Sequence, residues 1–236
     1  MTEILLKVEK IETYIGQYHV LQGIDFEVIK GKVTVLLGRN GAGKTTILRS
    51  IMGLNPASKG RILFKNEEIQ GLPTYMIAQK GIGFAPENQG IFAGLTVEEN
   101  MVIAARRDYE AVKERREWVL DLFPDLKKTW KRDAGNLSGG EKQMLALALA
   151  LVNDNELLLI DEPSKGLAPM VVEKLIRVVS DIKEKTTIVL VEQNFTMASR
   201  VGDSYYIIDD GVTVNRGDMA ALKENRQLRK RYLGIA

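Results

Sequence analysis

The sequence predicts an α/β fold: parallel strands covered by helices, with a helical insert between two α/β halves. Three observations predict it. Val33 to Leu37, Leu157 to Ile160 and Thr187 to Val191 are short apolar runs, as strands buried on both faces require. Strand and helix patterns alternate at both ends of the chain. The middle, Thr96 to Phe123, interleaves charges with Val97, Met101, Val112, Val119 and Leu122 and reads as helix.

In chain order, Ile4 to Val8 and Ile24 to Ile29 read as strands, with Gly23 as a turn before the second. Val33 to Leu37 is bounded by Gly31 and Gly38, and a helix is expected from Gly43 to Met52. Arg61 to Phe64 and Gly81 to Ala85 are further strands. Leu145 to Leu151 alternates leucine with alanine, which formally fits a strand. Leucine and alanine are strong helix formers and no β-branched residue interrupts them, so a buried helix is expected there. Pro169 to about Lys183 is a helix between two buried strands. Tyr205 to Ile208 and Val212 to Asn215 flank Asp210-Gly211, a hairpin signal. Asp218 to Leu233 reads as one helix; its basic stretch from Lys223 to Arg231 includes Glu224 and has a thin apolar face, so a solvated terminal helix is expected.

The 236 residues are 45% apolar, enough for a full core. The 33 basic and 31 acidic residues nearly balance, which argues against a dedicated nucleic-acid binder. Without cysteine there is no disulfide or thiolate chemistry, and a single histidine, His19, excludes a multi-histidine metal site. No signal-peptide pattern opens the chain, and the longest apolar run, Met144 to Val152, is far short of the roughly 20 residues a spanning helix needs. A soluble, cytoplasmic protein is expected.

Gly38-Arg39-Asn40-Gly41-Ala42-Gly43-Lys44-Thr45 matches G-x-x-x-x-G-K-[ST] in full, after a buried strand and at the start of a helix. Glycines let successive backbone N–H groups curl toward one anion, and the helix adds its positive end. Lys44 then reaches the β- and γ-phosphates of a nucleotide, and the Thr45 hydroxyl binds Mg2+. The plain alternative is a glycine-rich turn of chance spacing. Glu156 to Glu162 supplies the second half of such a site: a buried strand delivers Asp161 to hold Mg2+ and Glu162 to polarise the attacking water. An acidic pair before Pro163 could otherwise be a simple cap.

Leu137-Ser138-Gly139-Gly140-Glu141 is, on its own, a capping box that starts a helix. Between the phosphate loop and Asp161 it resembles the signature motif of ABC-type ATPases, and the resemblance covers nearly the whole chain. It implies a RecA-like P-loop NTPase core with an antiparallel β sub-domain and an inserted α-helical sub-domain. The core would be residues 1–90 and 154–236, and the helical part 91–153. It implies ATP and Mg2+ as ligands, bound by Gly38 to Thr46, and a dimer in which Ser138, Gly139 and Gly140 face the ATP held by a second ATPase subunit. Ser164-Lys165-Gly166-Leu167 resembles the D-loop, and Glu87 stands where the Q-loop usually has a Mg2+-sensing glutamine. For adenine stacking the aromatic candidates are Tyr14 and Tyr18, of which Tyr14 is favoured; either could instead be an ordinary surface or core residue. Gln193 replaces the usual histidine; its amide has two N–H donors and can contact the γ-phosphate or orient water with no proton transfer, leaving Glu162 as base.

Val191-Glu192-Gln193-Asn194, Pro86-Glu87, Ser164 to Pro169 and Tyr232-Leu233-Gly234 are similar to the second (LivF-type) ATPases of branched-chain amino-acid importers. Lys165 and Leu149 depart from that pattern, which expects a small or apolar residue and an arginine. The resemblance implies ATP-driven uptake through transmembrane permease subunits, indirectly with a substrate-binding protein. The chain would sit on the cytoplasmic face of the inner membrane, with partners pulled through the surface from Glu87 to Asn100. A soluble non-transport ABC ATPase and a lipid or lipopolysaccharide exporter ATPase are the alternatives.

Overall fold

The computed structural model describes residues 3–105 and 112–234. Two sheets share the chain. The first is antiparallel, in the order β2-β1-β4-β5, from β1 (Ile4–Ile15), β2 (Tyr18–Ile29), β4 (Lys59–Phe64) and β5 (Glu67–Glu68). The second runs β10-β9-β3-β8-β7-β6, from β3 (Val33–Leu37), β6 (Ile82–Ala85), β7 (Leu157–Asp161), β8 (Thr187–Val191), β9 (Ser204–Asp209) and β10 (Val212–Asp218). All its pairs are parallel except β9 with β10, the expected hairpin.

Every residue of β3, β7 and β8 is buried, because both faces of this sheet are covered. On one face Leu36, Leu159 and Val191 pack with Ile47 and Leu48 of α1 (Lys44–Ile51) and with the antiparallel sheet. On the other, Val35, Leu158 and Leu190 pack with Leu147 and Leu175 of later helices. Alternating side chains of one strand therefore feed two cores.

The first hairpin differs from the expected strands. Both strands run twelve residues, and Gly23 lies inside β2 rather than in a turn. It has φ +101°, in an irregularly paired stretch where register slips at Ile11 and again at Thr13. The turn falls instead at Gly16-Gln17. The charged outer half of the hairpin lacks clean alternation, so its sequence carries little strand signal.

α2 (Thr74–Gln79) precedes β6; between the halves lie α3 (Val97–Ala104), α4 (Lys113–Leu122), α5 (Pro124–Lys128) and α6 (Gly139–Leu151). The expected helical stretch from Thr96 to Phe123 crosses residues 106–111, which lie outside the described residues. Thr96 caps α3 in a box with Glu99, and Ser138 caps α6 with Glu141. The leucine–alanine run is helix, as its propensities dictate. α7 (Pro169–Lys183) matches its expected span, and α8 (Phe195–Val201), which the sequence reading passed over, starts at the Asn194 cap.

The tail is not one solvated helix. Asp218 still belongs to β10, and α9 (Met219–Glu224) buries Met219 and Leu222. Asn225 then breaks the chain and caps α10 (Arg226–Leu228), and a wide turn from Arg229 to Leu233 follows. Leu228, Tyr232 and Leu233 pack on the core, and Arg39 donates to the Arg231 carbonyl at 3.4 Å. Apolar residues spaced across the break escape a single-helix pattern. Among the described residues no helix is long and apolar enough to cross a membrane.

Candidate active site

Three neighbouring strands, β3, β8 and β7, end side by side with Leu36 opposite Val191 and Val191 opposite Asp161. The loops after them converge at the carboxyl edge of the sheet, where open α/β sheets build sites. The β3 loop is Gly38 to Gly43. A side chain at Gly38 would place Cβ 2.2 Å from the Ile208 carbonyl oxygen, so only glycine fits. Gly43 precedes α1 with φ +101° and no side-chain cap, which leaves the first N–H groups of the helix open to a ligand.

Lys44 and Thr45 are the first residues of α1. The Lys44 ammonium is buried and donates to the carbonyls of Gly38 and Arg39, both at 3.0 Å. It also lies 3.4 Å from Glu162 Oε1. The Thr45 hydroxyl donates to Asp161 Oδ1 at 3.1 Å. Thr46 and Ala42 are buried beside them, whereas Arg39, Asn40 and Gly41 are exposed.

β7 delivers the two acidic residues. Asp161 is 1% exposed, and burial pushes its carboxyl up to about 6, against the Thr45 hydrogen bond, which holds it down. Glu162 is buried at a left-handed φ of +43°, a conformation that costs a non-glycine residue roughly 1–2 kcal/mol. Such backbone is found where surrounding contacts over-determine it. Here the Glu162 N–H donates to the Val191 carbonyl at 2.9 Å, and Oε1 accepts from Gln193 Nε2 at 2.8 Å.

Gln193 follows β8 at the exposed rim. Its Nε2 donates both to Glu162 and to the side-chain oxygen of Asn40, which uses both N–H bonds of the amide. A neutral imidazole has a single N–H and could serve only one of them. Glu192, which the sequence reading did not assign a role, is the anchor beneath. It is 1% exposed and accepts from the N–H groups of Ser164 (3.0 Å), Gln193 (3.0 Å) and Asn194 (2.9 Å). Burial raises its carboxyl, and these hydrogen bonds oppose the rise. Its sequence signal is an acidic residue straight after a fully apolar strand, the same pattern that marked Asp161 and Glu162.

The remaining predicted residues stand further out. Glu87, beyond β6, accepts from Lys165 at 2.6 Å. Ser138 and Gly139 are exposed at the start of α6 and Gly140 is half-buried; the hydrogen bonds of Ser138 run to Glu141 of its own helix. Tyr14 is half-exposed on the β1–β2 hairpin and stacks on His19, ring centroids 4.3 Å apart and 4° from parallel; Tyr18 is more exposed.

Phosphate and a hard cation both fit this cluster. A lysine and open helix N–H groups meet an anion, while Thr45 and Asp161 supply the oxygen donors that Mg2+ takes alongside phosphate and water.

A family model described as ABC transporter matches residues 21–165. The chain belongs to the ABC transporter family. As an ABC ATPase it binds ATP and hydrolyses it. It is similar over its length to BraG of Pseudomonas aeruginosa, a "High-affinity branched-chain amino acid transport ATP-binding protein". The two are 39% identical over 235 residues, 98% of this chain and all of that one. A "Probable branched-chain amino acid transport ATP-binding protein LivF" of Archaeoglobus fulgidus is 38% identical, covering 98% of this chain and 99% of that one. The ABC ATPase fold is shared with the crystal structure of an ATP-binding cassette of an ABC transporter in its ADP conformation. The TM-score is 0.86 at 24% identity, over 99% of this chain and all of that one.

Proposed function

We propose that this chain is the ATP-hydrolysing subunit of an importer that takes up branched-chain amino acids, or a related small substrate, through partner membrane subunits. The observation that carries the reading is the meeting of Lys44, Glu162 and Gln193 at one sheet edge. It stands in a chain whose full-length relatives are named for branched-chain amino acid transport.

Gly38, Arg39, Asn40, Gly41, Ala42 and Gly43 form the phosphate cradle, with Thr46 in the first helical turn. Lys44 exchanges its carbonyl partners for β- and γ-phosphate oxygens. Thr45, Asp161 and Glu87 are the oxygen set for Mg2+. When bound, Mg2+ supplies positive charge for the phosphate oxygens as the terminal phosphoryl group leaves. Glu162 takes the proton of the attacking water as that water's oxygen bonds to the γ-phosphorus and ADP departs. Gln193 orients the water or a γ-phosphate oxygen and carries no proton. Tyr14 stacks on adenine, and His19 backs the ring.

Ser138, Gly139 and Gly140 present an exposed helix start to the ATP of a second ATPase subunit, the same chain or a different one. Residues 1–90 and 154–236 act as the nucleotide core and 91–153 as the helical part. The exposed Phe92, Val102 and Ile103 mark the face that takes the membrane partners. The buried Asn100 holds that face in shape by bonding both the N–H and the carbonyl of Phe92. The chain is thereby held on the cytoplasmic face of the membrane.

The test is uptake of labelled leucine, isoleucine and valine by cells lacking this chain, complemented with the wild type or with Glu162→Gln. Rescue by the wild type alone supports the reading. Unchanged uptake of all three in the deleted cells would remove the cargo assignment and leave the ATPase. Size-exclusion chromatography of Glu162→Gln with and without Mg-ATP tests the partner: a shift to dimer supports a sandwich of identical chains, and none, with ATP bound, assigns the second site to another ATPase.

A further inference from the structure

Two positions far apart in sequence are unusual in different ways: Glu87 stands where the general Q-loop has a glutamine, and Lys165 departs from the LivF-type pattern, which itself includes Pro86-Glu87 and has a small or apolar residue at 165. The fold brings them together. Lys165 Nζ lies 2.6 Å from Glu87 Oε1 and 3.6 Å from Glu162 Oε2. The other Glu162 oxygen, Oε1, faces Lys44 and Gln193. Each carboxylate oxygen of Glu162 thus has its own cation, and one ammonium joins two carboxylates from separate loops.

We propose that Lys165 is a positioning residue for hydrolysis: by bridging Glu87 and Glu162 it holds the base carboxylate in place and ties its position to the loop after β6. The inference rests on Glu162 being the base. The pair is not a stability device. Lys165 is 57% exposed and Glu87 40%, where an ion pair contributes little to folding. Glu162, by contrast, is 9% exposed along its side chain, so a charge placed beside it is poorly screened and decides where it sits. Without the ammonium, Glu87 and Glu162 become like-charged neighbours and push apart. A glutamine at position 87 would exert no such push, which is why the acidic residue and the lysine function as a pair.

The experiment measures steady-state ATP hydrolysis by the full chain as Lys165→Met, Lys165→Arg, Glu87→Gln and the Lys165→Met/Glu87→Gln double variant. Equilibrium binding of a fluorescent ATP analogue and thermal midpoints are taken beside it. Lys165→Met lowers kcat about tenfold while KM stays within about twofold, because Lys165 touches the base and not the phosphate loop. Lys165→Arg retains about half of the turnover, since a guanidinium can still bridge both carboxylates. In the double variant the loss caused by Lys165→Met is at least about twofold smaller than in the wild-type background, the signature of coupled residues. The midpoints move by less than about 3 °C. Wild-type kcat in Lys165→Met, or equal losses in Lys165→Arg and Lys165→Met, overturns the proposal. Additive losses in the double variant do the same. Glu162→Gln separates the two readings: retained turnover removes the base itself, whereas lost turnover with an active Lys165→Met removes only the role of Lys165.

Discussion

Gln193 Nε2 lies 2.8 Å from Glu162 Oε1, so a neutral amide is bonded directly to the carboxylate beside Lys44. The same amide reaches Asn40 in the loop after β3. It ties the ends of β7 and β8 to the loop after β3 with no titratable group.

A histidine substitution tests this link. Gln193→Ala loses both contacts and lowers kcat by about tenfold or more. Gln193→His keeps hydrolysis but acquires a pH dependence around the ordinary imidazole value of roughly 6.5, where the wild type is flat. Turnover measured from pH 6.5 to 8 reads the difference. A wild-type profile with a histidine-like inflection would contradict the assignment.

Glu192 is predicted to matter as much as its visible neighbours. It accepts three backbone N–H groups, two of them on Oε2. Glu192→Gln turns an amide NH2 against at least one of these donors and destabilises the fold by about 2 kcal/mol. It also frees Ser164 or, with the amide turned the other way, Gln193 and Asn194, so turnover falls further than stability alone explains. Thermal unfolding beside kcat checks this: a lower midpoint with normal turnover would leave Glu192 a purely structural anchor.

Asp161 sets a pH dependence in the nucleotide-free protein. Its folded carboxyl holds a proton up to about 6, against an ordinary 3.8. The stability this proton contributes is complete below 3.8 and is lost as the pH rises through 6. Above that, the buried anion costs up to about 3 kcal/mol. Asp161→Asn therefore raises the midpoint at pH 8 by as much as about 8 °C, and by about half as much at pH 5. Scanning calorimetry at both values decides it, with an unchanged or lower midpoint at pH 8 counting against burial as the cause. The same variant should bind Mg-ATP more weakly, since it lacks an anionic oxygen for the cation.

The exposed apolar residues of α3 make a different prediction. Ile103 is 55% exposed on α3. Ile103→Asp should leave ATP hydrolysis by the isolated chain within about twofold of wild type, as surface substitutions away from packed features usually do. Uptake in complemented cells should fall sharply. Normal uptake would place the membrane partners elsewhere.

Much of the site was legible because its chemistry is local. Gly38 to Thr45 carries its glycines, lysine and hydroxyl in one stretch, and the structure shows why Gly38 tolerates no Cβ. Asp161 and Glu162 follow an unbroken apolar run, which is what a strand buried on both faces looks like. The capping box at Ser138 was equally local. The first hairpin was underestimated because bulges and charges break its alternation, and the tail because Asn225 splits a pattern that looked continuous.

By itself, then, the sequence determined the α/β class, through alternating strand and helix patterns, and pointed to the glycine-rich loop after β3 and the acidic pair after β7 through residues within a few positions of one another. Only the tertiary structure decided what Gln193 and Lys165 touch, and that Glu192 lies beneath both their loops. It also decided that the tail returns to Arg39. The physical reason is the parallel sheet. Val33 of β3 pairs with Ile188 of β8 across most of the chain, and Leu157 of β7 with Thr187 of β8 across a whole helix, so their loops meet only once the connecting segments have folded back. No periodicity within one segment records which loop ends beside which.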